Sequence, residues 1–143
     1  MVRILCRLSL LLLALSPAAA SESAPVTIGQ VHRIHSSVLD EQREYQVHVP
    51  DDYGWAKNRR YPVLYVLDGQ THFSHTAASV SFLAAQGEIP DMIVVAVTST
   101  VRIRDFTQTD WASHWVGGGG ANNFKRFLSS ELMPEVEIGR AHV

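Results

Sequence analysis

Residues 61–70, Tyr61-Pro62-Val63-Leu64-Tyr65-Val66-Leu67-Asp68-Gly69-Gln70, read as a strand running straight into a tight turn. The apolar run from Val63 to Leu67 has no polar face, the pattern of a strand covered on both sides by helices. Asp68-Gly69 is a turn dipeptide. Upstream, Ile28 to Val38 predicts a strand, Asp40-Glu41-Gln42 a polar turn, and Glu44 to Val49 an alternating strand. Tyr45, Val47 and Val49 fall on one face of it and Glu44, Gln46 and His48 on the other, so the opening is an antiparallel hairpin. The segment Pro50-Asp51-Asp52-Tyr53-Gly54 then ends the hairpin as a surface loop.

Downstream, His75 to Gln86 predicts a helix ended by Gly87 and Pro90, and Met92 to Val97 a second continuous apolar strand. Strand, helix, strand in this order implies a right-handed crossover between parallel strands. Thr98 to Gly120 is a long polar loop holding Trp111, Trp115 and the run Gly117 to Gly120. Ala121 to Met133 predicts an amphipathic helix, with Phe124, Phe127, Leu128 and Leu132 on one stripe and Pro134 closing it.

The chain has 143 residues, enough for one modest domain, and its 46% hydrophobic and 18% charged composition is that of a globular protein. A net charge of −2 gives no electrostatic case for nucleic acid or an anionic membrane as partner. Arg3 and Arg7, the apolar run Leu8 to Leu15 and the small residues Ala18-Ala19-Ala20 have the order of a signal peptide over residues 1–20. The apolar run is short for a membrane span, and no stable membrane anchor is expected. Cys6, the single cysteine, lies inside that segment, so a processed chain has neither disulfide nor thiolate chemistry. Export to the periplasm or beyond the cell is the expectation, for a domain spanning residues 21–137.

The last six residues, Ile138-Gly139-Arg140-Ala141-His142-Val143, are what ATC GGA AGA GCA CAC GTC encodes. That string matches a common sequencing-library adapter. The two adapter bases before it are AG, which demands a preceding codon for Lys, Gln or Glu, and the residue is Glu137. Residues 138–143 are therefore expected to be translated adapter, and the gene product to continue differently from this point.

Four stretches together resemble the putative-esterase branch of the α/β-hydrolases, the group of enterochelin esterases, feruloyl esterases, S-formylglutathione hydrolases and mycolyltransferases. They are Tyr45 to Tyr53 (YQVHVPDDY), Tyr61 to Gln70, Ile89 to Val97 (IPDMIVVAV) and Arg102 to Thr107 (RIRDFT), continued by Leu132 to Val136. The resemblance implies an α/β fold: the N-terminal portion of a hydrolase sheet, an antiparallel hairpin leading into parallel βαβ, truncated before the nucleophile elbow. It also implies a serine esterase acting on a small-molecule carboxylic ester, without a cofactor.

The family's nucleophile sits in G-x-S-x-G, a pattern this chain lacks, and its acid and histidine follow later still. No catalytic triad residue is assigned, and the chain itself is expected to be inactive. What the resemblance does carry over is half of an oxyanion hole. The N–H of Gln70 supplies the donor, Gly69 permits the sharp turn and close approach, and Asp68 supports the turn through its carboxylate. His72, Phe73, Trp111 and Trp115 are candidates to line the substrate mouth. An acyltransferase of the mycolyltransferase kind and a non-catalytic hydrolase-fold binding domain are the alternatives.

Other clusters read as structural. His32 and His35, three apart on a strand, point to opposite faces. His72 and His75 lack a third ligand at suitable spacing, so no metal is expected at either pair. Arg102, Arg104 and Asp105 read as a salt-bridged brace for their loop. Gly117 to Gly120 lacks the Lys-Ser/Thr of a phosphate loop and reads as flexible. The sequence leaves the oligomeric state open.

Overall fold

The computed structural model describes residues 23–110, 117–137 and 141–142. The elements are β1 (Gln30–Ser36), β2 (Glu41–His48), β3 (Tyr61–Leu67), α1 (Gly69–Ala85), β4 (Ile93–Val97), α2 (Arg102–Phe106), α3 (Ala121–Phe127), α4 (Met133–Glu137) and β5 (Ala141–His142). A single-turn 3₁₀ helix, Asp51–Gly54, follows β2. The sheet order is β1-β2-β4-β3-β5. β1 and β2 form the expected hairpin, β2 pairs antiparallel with β4, and β3 and β4 are parallel and joined through α1. The fold is the mixed α/β sheet that the sequence implies.

Strand β4 is the centre of the sheet, and all five of its residues are buried. Side chains alternate across a strand, so Ile93, Val95 and Val97 face one layer and Val94 and Ala96 the other. The first face packs with Tyr45, Tyr61, Phe124, Phe127 and Leu132 into the larger core. On the second, Ala96 meets Phe73 and Ala77 of α1. Gly29 is required there, because a Cβ on it would lie 2.5 Å from Cζ of Phe73.

Three boundaries differ from the sequence expectation. The hairpin turn is Ser37 to Asp40, with Asp40 left-handed at φ 52°, so Glu41 and Gln42 belong to β2. Helix α1 begins at Gly69, six residues before the expected His75. The final helix does not stop before Pro134. A π-helical turn, Leu128–Leu132, joins α3 to α4, and Met133 N–H donates to the Leu128 carbonyl five residues back. Proline has no N–H and its ring crowds the carbonyl four residues earlier, so widening the preceding turn lets the helix run through it. The same segment presents Glu131 to the hairpin. Its carboxylate accepts the Ser36 hydroxyl at 2.5 Å and the Ser37 and Val38 N–H groups at 3.0 and 3.1 Å.

The hairpin is also tied to α2 by a buried ion network. Arg43, 1% exposed, donates to Glu41 Oε1 at 2.8 Å, to Asp105 Oδ2 at 2.9 Å and to the Thr98 carbonyl at 3.1 Å. Its guanidinium lies over the rings of Phe124 and Phe127, at 5.3 and 5.6 Å. Arg104 completes the ring of charges, reaching Glu41 at 2.7 Å and Asp105 at 2.8 Å. Arg104 first, and Arg43 after it, hold the Glu41 carboxyl below the ordinary carboxylate range against the effect of burial.

β3 is less covered than its apolar sequence implies, and Leu67 is 40% exposed. On the side away from β4, its described partner is β5, which pairs only with Tyr61 and Pro62. The described pairing on that side of β3 stops at Pro62, and short, open parallel edges pair with other chains. The chain lacking residues 1–20 is expected to self-associate as its concentration rises, read by light scattering after size exclusion. A monodisperse monomer across the concentration series would contradict this.

Candidate active site

The expected site is the turn where β3 becomes α1. Asp68 occupies the left-handed region, φ 55° and ψ 46°, which carries a steric cost for a residue with a Cβ. Aspartate is among the few residues that tolerate it. The left-handed residue of the turn is thus Asp68, and Gly69 is already helical. Glycine at 69 answers a different need. A Cβ there would lie 2.8 Å from the Ala96 carbonyl oxygen, so only glycine lets the helix start this close to β4.

The first N–H groups of a helix have no partner within it. Here the Asp68 carbonyl accepts from Thr71 at 2.9 Å and from His72 at 3.1 Å. Among the described residues, no acceptor takes the N–H of Gln70, which is exposed. An unspent backbone donor at a helix N-terminus, where the peptide dipoles add a partial positive charge, suits a developing oxyanion.

The Asp68 carboxylate supports the turn from outside it. Oδ1 accepts the Ser99 hydroxyl at 2.6 Å and Oδ2 accepts Arg102 Nε at 3.0 Å. Ser99 also donates its N–H to the Gln70 side-chain oxygen at 3.1 Å. The loop after β4 is therefore stapled to the turn at three points. Ser99 gave no sequence signal, because a serine after a strand is ordinary and its partners lie about thirty residues away. Arg102 and Arg104 pair with acids as a loop brace requires. Arg43, at the centre of the brace, falls in the sequence reading between the expected turn, Asp40 to Gln42, and the strand from Glu44, and carries no signal there.

The proposed mouth residues separate. His72 is exposed, and its Nδ1 lies 3.0 Å from Nε2 of His75. Phe73 is buried in the core with Ala77 and Ala96, and is a packing residue there. Helical spacing accounts for this, since Phe73 and Ala77, four apart, share the face that meets the sheet, and His72 is turned about 100° from it. Trp111 and Trp115 lie outside the described residues. His32 stacks on Tyr45 at 5.3 Å between ring centres. Among the described residues, no group of three or more metal-ligating side chains is present. Gly119 and Gly120 are packed rather than loose. Gly120 N–H donates to the Arg104 carbonyl at 2.9 Å, and a Cβ on Gly120 would lie 2.7 Å from Cγ of Arg104.

Residues 36–141 match the family described as "Putative esterase". The chain belongs to that family. A curated relative, the ferri-bacillibactin esterase BesA of Bacillus subtilis (strain 168), is 29% identical over 120 residues, covering 71% of this chain and 42% of the relative. The solved structure of an IroE-like serine hydrolase from Shewanella oneidensis superposes with a TM-score of 0.70 at 33% identity, over 79% of this chain and 39% of that one. The siderophore hydrolase EstA of Aspergillus nidulans shares the fold, with a TM-score of 0.69 at 18% identity over 88% of this chain and 49% of its own. The chain thus spans less than half the length of each of these relatives.

Two outcomes follow from the turn. Gly69→Ala is expected to push α1 off β4, costing about 1–3 kcal/mol as overpacking does. It should also speed hydrogen exchange at the Gln70 and Ser99 amides; unchanged exchange would refute the close-approach argument. The second concerns acid. The Ser99 hydroxyl, and after it the Arg102 guanidinium, hold the Asp68 carboxyl below its ordinary value against the raising effect of burial. A depressed carboxylate stabilises the fold above the unfolded pKa of ~3.9, and that contribution is lost as pH falls through the lower folded value. Carboxyl titration by NMR should place Asp68 below a free aspartate, and Ser99→Ala should move it upward.

Proposed function

We propose that this chain is the N-terminal part of an exported serine esterase that hydrolyses small-molecule carboxylic esters. The observation that carries the reading is the β3–α1 turn, where a Gln70 N–H without an acceptor among the described residues stands at a helix N-terminus. Negative charge builds on the carbonyl oxygen during acyl transfer, and a preorganised backbone donor aimed at it lowers the barrier. Gln70 supplies one donor. Asp68, Ser99 and Arg102 hold that donor in place before the substrate arrives.

The rest of the machinery lies in the portion of the protein that this chain does not span. A serine attacks the ester carbonyl, a histidine takes its proton and returns it to the leaving alcohol, and a carboxylate orients the histidine. The curated relative is named as a ferri-bacillibactin esterase, which makes ferri-bacillibactin and related esters the first substrates to test. Export rests on the order Arg3, Arg7, Leu8 to Leu15 and Ala18-Ala19-Ala20.

The chain alone holds an oxyanion donor without a nucleophile elbow and is expected to show no sustained turnover. With p-nitrophenyl acetate beside a full-length relative, continuous p-nitrophenolate release should come from the relative only. Steady turnover by the purified chain would overturn the assignment of the nucleophile to the missing portion.

A further inference from the structure

The opposite end of the sheet carries a second chemical grouping. β2 runs antiparallel to β4 with His48 opposite Val94, so His48 lies where β4 begins, whereas Asp68 follows the far end of β3. His48 Nδ1 is 2.7 Å from the Ile28 carbonyl oxygen, and its Nε2 is 2.8 Å from Ser81 Oγ on α1. A carbonyl can only accept, so Nδ1 carries the proton, and in the neutral ring Nε2 presents a lone pair to the serine. The Ser81 hydroxyl also donates to the Ala77 carbonyl at 2.9 Å, so its single proton has two acceptors in reach, a helix carbonyl and the Nε2 lone pair. Rotation about the Cβ–Oγ bond brings that proton to Nε2. A nucleophile within reach of a base, with the base oriented by a third group, is the arrangement of an activated serine.

This serine is accessible. Ser81 is exposed and opens on a cavity of about 380 Å³ whose apolar side is formed by Val80, Ala84 and Met92. Trp55 on its wall is 75% exposed. Asp51, Asp52 and Asp91 also line the cavity against a single Arg59. Arg59 is shared between two of these acids, reaching Asp52 at 2.6 Å and Asp91 at 2.7 Å. The rim is net negative, which disfavours anionic ligands and admits neutral ones.

We propose that Ser81, with His48 as its base, is a covalent acyl-acceptor site for small neutral esters, separate from the Asp68 turn. Ser81 Oγ attacks the ester carbonyl carbon while its proton passes to His48 Nε2. The ester C–O bond then breaks, and the leaving alcohol takes that proton from Nε2. The products are O-acyl-Ser81 and the free alcohol. The acyl-serine is an alkyl ester, less activated than an aryl ester, so water attacks it more slowly than it forms and the acyl group accumulates.

The test is a stoichiometric burst. With p-nitrophenyl acetate the chain should release a single equivalent of p-nitrophenolate, and peptide mass spectrometry should find the acetyl group on Ser81. Ser81→Ala, a mild change on an exposed helix face, should abolish the burst. His48→Gln should slow it about a hundredfold, the lower end of what a general base contributes. In the unaltered chain, the anionic p-nitrophenyl hemisuccinate should react more slowly than the acetate, a comparison that needs no variant. No burst, acetylation at another residue, a burst surviving Ser81→Ala, or equal rates for the two esters would each overturn the proposal. A burst without turnover leaves the reading of the Asp68 turn untouched.

Discussion

The buried guanidinium of Arg43 is the constraint on which the functional end of this structure rests. Removing an arginine from water costs several kcal/mol, which only close and multiple partners offset. Arg43 has two carboxylates, one backbone carbonyl and two aromatic faces. Its Nε is the one edge without an acceptor among the described residues. The partners come from β2, from the residue after β4, from α2 and from α3. These elements are distant in sequence, and the charge can be buried only when all of them are in place. The network therefore fixes where the chain leaves β4.

That exit controls the turn after β3. Thr98, whose carbonyl binds Arg43, is also fastened to β2, donating its N–H at 3.1 Å and its hydroxyl at 2.7 Å to the Glu44 carbonyl. The next residue is Ser99, which holds both the Asp68 carboxylate and the Gln70 side chain. A left-handed aspartate costs conformational energy that its own turn does not recover, since its side chain caps no helix N–H. The compensation comes from Ser99 and Arg102. A path of direct contacts thus runs from a buried charge, through one threonine, to the backbone donor of the candidate site.

What the sequence reveals follows from the range of each interaction. The hairpin, the apolar strands and the family resemblance depend on local periodicity and short motifs, and they were legible. The start of α1 was not. Gly69 and Gln70 look like turn residues, and only the approach of Ala96 explains why a helix begins with a glycine. The passage through Pro134 was hidden for a similar reason. Proline normally ends a helix, and the π-helical turn that accommodates it has no sequence signature. Of the candidate site, Gln70 and Asp68 are named by resemblance, while Ser99 and Arg43 act through partners far along the chain. Phe73 was misread because proximity to a turn in sequence does not fix which side of a helix a residue occupies.

α1 links the two ends of the sheet. Its first residues supply the donor at the Asp68 turn, and its fourth turn carries Ser81 to His48. Between them, Phe73 and Ala77 seat the helix on β4, and Gly29 makes room for the Phe73 ring. A helix held this closely cannot shift at one end without moving the other, because packed interiors leave little free space. Tying His48 to Ile28 and Ser81 therefore helps fix the register of α1 against the sheet, and with it the position of the Gln70 N–H. The Ser81–His48 pair thus also has a positional effect on the site, through α1, which carries both Ser81 and Gln70.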